Sequence, residues 1–305
     1  MYLYLPVALT SINILIPIGL GLAVGLLSGL FGVGGGFLMT PLLIMFGIPS
    51  TVAAATDSNQ IVAASVSGTY AHWKVGNVDF KMGLYLLVGG FIGGLVGVEL
   101  IKVLRAMGDA GFVIKITYVL MLGSVGTYMF IESIQSMRKK KTEEVKEEKD
   151  SKVARFLRSL PLQTRFEKSG VTHSVLVPVV LGGFVGVLAA IMGVGGGFLM
   201  VPVMFYILKM PMHVIVGTSL FQILFTCIEV TFLQSYTNHT VDFILAVLLL
   251  VGSTVGAQIG AIFGRKMKGD QLKIILASIV LVVTAKIVLD LTLTPSLLLS
   301  QAGGH

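Results

Sequence analysis

Long apolar runs separated by short polar breaks recur along this chain, and the same series of five runs occurs twice. The first series covers about residues 12–30, 37–47, 50–72, 82–101 and 112–134. The second covers about 174–192, 198–208, 212–235, 241–263 and 272–291. A helix needs about 20 apolar residues to cross a bilayer core of about 30 Å, and several runs reach that length. The stretches 243–255 and 274–285 contain no charged residue at all. The pattern predicts an all-α polytopic membrane protein. The second run of each series is the exception. Residues 37–47 and 198–208 make only about 16 Å of helix at 1.5 Å per residue, half a bilayer. Each follows three consecutive glycines and ends before a proline, Pro49 or Pro211. Broken or re-entrant helices are predicted there.

The two series are copies. GVGGGFLMTP at 32–41 and GVGGGFLMVP at 193–202 agree at nine of ten positions, at an offset of 161. Pro49, Thr56 and Gln60 match Pro211, Thr218 and Gln222 at an offset of 162. Asp79, Gly89, Gly93 and Gly97 match Asp242, Gly252, Gly256 and Gly260 at 163. Searching for self-similarity first thus gives a first membrane repeat at 12–134 and a second at 173–294. Between them, 135–172 is a polar connector carrying the run RKKKTEEVKEEKD.

An odd number of segments per copy places the second copy upside down relative to the first. This holds whether or not the glycine hairpins cross, since five and three are both odd. The positive-inside rule tests the arrangement. With the connector inside, 18 Lys and Arg fall in inner loops, against Lys102, Arg105 and Lys115 outside. Both termini are then expected outside. Inverted repeats are typical of secondary transporters, which rock two similar halves about a midplane site.

Composition sharpens this picture. Of 305 residues, 55% are hydrophobic and 12% charged, about half the charge of a soluble domain, roughly 25%. The net charge of +7 is no nucleic-acid signal, because eleven of the 22 Lys and Arg lie between Arg138 and Lys168, where they serve orientation. Cys227, the single cysteine, sits in an apolar run and is expected to pack there. The first 13 residues hold no Lys or Arg, so a retained first helix is expected in place of a cleaved signal peptide.

The glycine bends carry the candidate chemistry. A glycine turn feeding a helix N-terminus exposes amide hydrogens, and the helix dipole favours anions there. Gly34, Gly35 and Gly36, with Gly195, Gly196 and Gly197, would hold one anion from two sides; close helix packing is the plainer alternative. On this reading valine at Gly35 or Gly196 stops transport and leaves folding largely intact. The third runs add polar groups: Thr56, Asp57, Ser58, Asn59 and Gln60 in one copy, Thr218, Ser219 and Gln222 in the other. Polar residues at membrane depth are costly unless they face partners or a cavity. Helix-to-helix hydrogen bonding is the competing explanation. Asp57 would repel an anion unless protonated or paired, which makes it a candidate proton carrier, with Glu229 behind it; a structural hydrogen-bonding role for Asp57 is the equal alternative. Glu99 and His72 are lesser candidates. Lys286 and Asp290 should pair across one helical turn. The glycine series at four-residue spacing read as packing faces, and Asp79 and Asp242 as caps of the following helices. No clustered catalytic set is visible, so an enzyme is set aside, and neither cofactor nor metal is implied.

With its duplicated GVGGGFLMxP blocks, the polar patches at 56–60 and 217–222, and a turn ending in Gly76-Asn77-Val78-Asp79, the chain resembles the TauE/SafE family of sulfite and organosulfonate exporters. The resemblance covers nearly everything outside the connector. It implies a plasma-membrane permease for sulfite, for sulfonates such as taurine or sulfoacetate, or for related sulfur anions. An anion channel, or an uptake permease for another small organic anion, is the alternative. The implied partners are a small anionic substrate, membrane lipid and a coupling proton.

Overall fold

The computed structural model describes residues 2–31, 36–138, 161–264 and 269–293. Its element series is written twice. The first half runs β1 (Tyr2–Leu5), β2 (Thr10–Asn13), α1 (Leu15–Phe31), α2 (Gly36–Met45), α3 (Ser50–Lys74), α4 (Phe80–Met107) and α5 (Ala110–Arg138). The second runs β3 (Gln163–Phe166), β4 (Val171–Ser174), α6 (Leu176–Met192), α7 (Gly197–Tyr206), α8 (Met212–Leu233), α9 (Phe243–Gly264) and α10 (Gly269–Leu293), with a π turn at Gln234–Asn238 closing α8. The predicted runs and the helices agree to within a few residues. The two short elements are helices of 10 residues each. Pro49 and Pro211 stand directly before α3 and α8, with φ of −53° and −63°, a backbone setting that proline fixes in advance.

Polarity did not announce the strands. Each half opens with a two-stranded antiparallel hairpin, Tyr2 pairing Asn13 and Gln163 pairing Ser174. Part of the polar segment 135–172 is therefore a hairpin that matches the start of the chain. Residues 139–160, with most of the charge run, lie outside the described residues. Each hairpin roots itself with one fully buried side chain. Leu5 belongs to the large apolar cluster built mainly from α1, α2, α5, α9 and α10. Phe166, edge to face with Tyr85, belongs to the cluster of α4, α6, α7 and the start of α8.

The halves are threaded through each other. α1 packs against α9 and α4 against α6, while α3 meets α8 and α5 meets α10. At the first two contacts glycines let backbones touch. Gly21 and Gly25 lie on the backbone of Leu249 and Ser253; Gly89 and Gly93 lie on that of Val179 and Gly183. Apolar side chains gain little by leaving lipid for a neighbouring helix, so close packing of small residues supplies the attraction. The aliphatic faces look outward: on α4, Leu84, Val88, Ile92 and Leu95 are exposed while Gly89, Gly93 and Gly97 are buried. This is the arrangement lipid requires. Among the described residues, four helices are long and apolar enough to cross a membrane: Phe80–Met107, Ala110–Tyr128, Met212–Asn238 and Phe243–Gly260.

Matching helices run in opposite directions. Thr56, near the start of α3, meets Asp242 just past the end of α8, whereas Thr218, near the start of α8, meets Asp79 just past the end of α3. Likewise Gly123 of α5 meets Thr284 of α10 and Gly126 meets Val280. Around the α3–α4 turn, Tyr70, Trp73 and Phe80 pack edge to face and Lys74 caps the Tyr70 ring at 4.6 Å. Such a cluster suits a membrane–water boundary.

Candidate functional site

The two short helices meet at their N-termini. Phe37 and Phe198, matching residues of the ten-residue blocks, stack with centroids 4.6 Å apart and planes 16° apart. Both rings are buried. The start of α2 and the second glycine bend therefore meet at one place between the halves. Of the first bend, Gly34 and Gly35 lie outside the described residues and only Gly36 is placed. The second bend is described throughout. Gly193, Gly195 and Gly196 have φ of +72°, +68° and +76°, which explains glycine at those positions.

The second bend and the start of α2 at Gly36 are closed in this conformation. A Cβ at Gly195 would meet Ile223 at 2.8 Å and Ile61 at 3.4 Å; one at Gly36 would press on the Ile61 side chain, and one at Gly193 on the Ala54 backbone. Ile61, Ile223 and Cys227 fill the space in front of the second bend. At Gly36, Gly193, Gly195 and Gly196 close contacts stand where open amides facing a shared cavity were expected, and these glycines serve close packing here. Gly196 also departs from expectation. A side chain there would meet Val185 and hold a left-handed backbone. Valine at Gly196 is accordingly expected to lower the yield of folded protein as well as transport, as size-exclusion in detergent will show.

The polar residues divide into three groups. Thr56 and Thr218 are cross-links: their Oγ1 atoms accept from the backbone N–H of Asp242 (3.1 Å) and Asp79 (3.0 Å). Ser58 and Ser219 donate back to carbonyls of their own helices, at Ala54 (3.3 Å) and Val216 (3.1 Å). Asn59 is half-buried. The remaining group is buried and incompletely matched. Asp57 is 0% exposed; its Oδ2 accepts from Thr40 Oγ1 at 2.9 Å, and its Oδ1 has no partner. Gln60 Oε1 and Gln222 Oε1 also lack partners, although Gln222 Nε2 donates to Thr226 at 2.9 Å. A buried polar atom left unmatched costs about 1–3 kcal/mol, so each of these three calls for a ligand or water.

Gly36 and Asp57 are brought together: a Cβ at Gly36 would stand 3.5 Å from Asp57 Oδ2. Glu229 is elsewhere, its carboxyl against Gly94 of α4 with Oε2 unmatched. Glu99 sits in an exposed pair with Lys102 at 3.4 Å, and Lys286 pairs Asp290 at 3.1 Å as spacing predicted. Cys227 is buried and packed.

Sequence reasoning passed over two groups at this place. Thr40 was visible as the single mismatch of the repeated block, opposite Val201. Tyr118 gave no signal. Fully buried on α5, it donates to Met192 O at 2.5 Å and so ties α5 to the entrance of the second bend. A cavity of about 400 Å³ lies apart from the bends, lined by Ser50, Thr51, Arg105 and Lys115 among others.

A family model described as sulfite exporter TauE/SafE matches residues 17–287. Among curated proteins, the chain is similar to the probable membrane transporter protein YjnA of Bacillus subtilis. The two are 29% identical over 272 residues, covering 88% of this chain and 97% of that one. The probable membrane transporter protein YunE of the same organism is 24% identical over 286 residues, covering 91% and 98%. The sulfite exporter TauE/SafE family protein 3 of Arabidopsis thaliana is 30% identical over 122 residues, 38% of this chain and 26% of that one. No solved structure matches the chain.

Proposed function

We propose that this chain, a membrane transporter belonging to the sulfite exporter TauE/SafE family, is a secondary carrier that exports sulfite or a small organosulfonate across the cell membrane. The two repeats act as inverted halves that rock about the contact between their short helices. Both termini face outward and the charged connector lies in the cytoplasm. The antiparallel course of α3 and α8 and the placement of Lys and Arg support this reading. The protein has no enzymatic role in it.

One observation carries the anion assignment: two half-length helices direct their N-termini at a single point, marked by the Phe37–Phe198 stack. Helix N-termini favour negative charge, and two of them add. The packed second bend corresponds to a closed intermediate. Substrate enters when the halves part far enough to withdraw Ile61 and Ile223 from the bends. The amides of Gly34, Gly35, Gly36, Gly195, Gly196 and Gly197 then face it, with Asn59, Gln60 and Gln222 beside them and the hydroxyls of Thr56, Ser58, Thr218 and Ser219 at the margin. Asp57 and Glu229 are the candidate proton carriers.

Purified protein in proteoliposomes, loaded with unlabelled sulfite or taurine, tests this directly. Saturable counterflow of the labelled anion is expected. Flux no different from protein-free liposomes overturns the proposal, and single-channel currents without counterflow replace the carrier with a channel.

A further inference from the structure

The two halves differ where their repeats should agree, and two of the differences touch. Within the repeated ten-residue block the sole mismatch is Thr40 opposite Val201, and at the matching positions of α3 and α8 Asp57 stands opposite Ser219. Thr40 is the donor that holds Asp57, at 2.9 Å. The first half has gained a carboxyl and its hydrogen-bond donor together, and the second half has neither.

That carboxyl is short of partners in a specific way. It is fully buried, and Oδ1 accepts nothing. Gln60, three residues on and so on the same helix face, is 4% exposed and presents a second acceptor, Oε1, with no donor. From the packed elements the titratable groups near Asp57 are Tyr118 on α5 and Cys227 on α8, while α2 contributes only Thr40. Tyr118 spends its proton on Met192 O. None of these is a cation. Among the described residues, no Lys, Arg or His pairs with Asp57. An isolated buried carboxylate is too costly to persist unneutralised, and oxygen acceptors without donors are the ligands of a hard cation.

We infer that Asp57 and Gln60, with Thr40 holding the carboxylate, form a binding site for one small coupling cation, a proton or Na⁺, present in the first half only. The inference rests on the carrier reading above and deepens it. A cation here lies beside Gly36 at the start of α2, where it offsets the charge of an anion held between the two short helices.

A cation bound only by the folded protein stabilises it by mass action, so binding is measurable without transport. The melting temperature of the purified full-length protein is followed in detergent. One series lowers pH without Na⁺; the other replaces choline chloride by NaCl at fixed pH and ionic strength. A rise of about 5 °C on saturation is expected in one series, which identifies the ion. If the ion is the proton, stability rises as pH falls, because the folded protein takes up the proton. Asp57→Asn should fold and lose the response. Thr40→Val should shift its midpoint at least threefold, and Thr40→Ser should restore it. In proteoliposomes Asp57→Asn should abolish the acceleration of anion flux that the matching pH or Na⁺ gradient gives wild type. The inference is overturned if wild type responds in neither series, if Asp57→Asn responds like wild type, or if Glu229→Gln abolishes the response in its place. Absence of counterflow in wild type sinks the carrier reading, while a melting response confined to intact Asp57 still upholds the cation site.

Discussion

Leucine at Gly89 or at Gly182 is expected to leave little folded protein to purify. α4 and α6 touch backbone to backbone here: a side chain at Gly89 would fall on the Val179 carbonyl, and one at Gly182 on the Leu86 carbonyl. A clashing side chain can rotate away, but a carbonyl inside a helix cannot. The helices must separate, and the contacts among Gly90, Gly93 and Gly186 go with them. Overpacking costs typically about 1–3 kcal/mol and more where nothing can yield, against a total stability of about 5–15 kcal/mol. Nearby glycines provide the controls. Gly183→Ala meets only ordinary contact, at 3.5 Å, and Gly19→Ala meets nothing within 4 Å. Gly19→Ala should even stabilise α1, by up to about 1 kcal/mol. Melting temperature and elution profile in detergent separate these cases.

Alanine at Asp79 or Asp242 should be the next most damaging change. Each buried carboxylate does two things at once. Asp79 Oδ1 caps α4 through Met82 N–H (3.0 Å), and its Oδ2 accepts from Ser169 N–H (3.1 Å) and Ser169 Oγ (2.5 Å) in the β3–β4 turn. Asp242 caps α9 through Leu245 N–H (3.1 Å) and accepts from Val7 N–H (3.1 Å) in the β1–β2 turn. Losing a cap costs about 1 kcal/mol and a charge-assisted bond about 1.5–3 kcal/mol. Each alanine variant should therefore lose about 2.5–4 kcal/mol. In a double-mutant cycle Asp79→Asn and Ser169→Ala should be coupled, since they remove the same bond. Additive losses would show that the hairpin contact contributes nothing.

The helices were legible because lipid imposes one rule on every span: an apolar run of sufficient length. The duplication was legible because nine of ten residues repeat. The helix-capping role of Asp79 followed from its place before an apolar run, but its second bond did not, since Ser169 is 90 residues away. The hairpins were missed because strands of four residues with mixed polarity resemble loop, and their stability comes from Leu5 and Phe166 rooted in distant helices. Reading Thr56 and Thr218 as ligand groups took account of their hydroxyls but not of the Asp242 and Asp79 amides that occupy them. At the second glycine bend, the residue type specified the conformation without specifying what fills the space in front. Ile61 and Ile223 close it from helices whose approach no local pattern encodes.

Each hairpin turn is fastened by an aspartate from the opposite half, and each aspartate's amide donates in turn to a threonine of the hairpin's own half. Neither half can complete its own fastenings. As the chain leaves the ribosome, residues 1–138 must wait in the bilayer as loosely associated helices until α9 delivers Asp242, and folding finishes only once synthesis is nearly done. Expressed alone, that fragment should insert yet remain open to protease, and co-expression of the remainder should restore its protection.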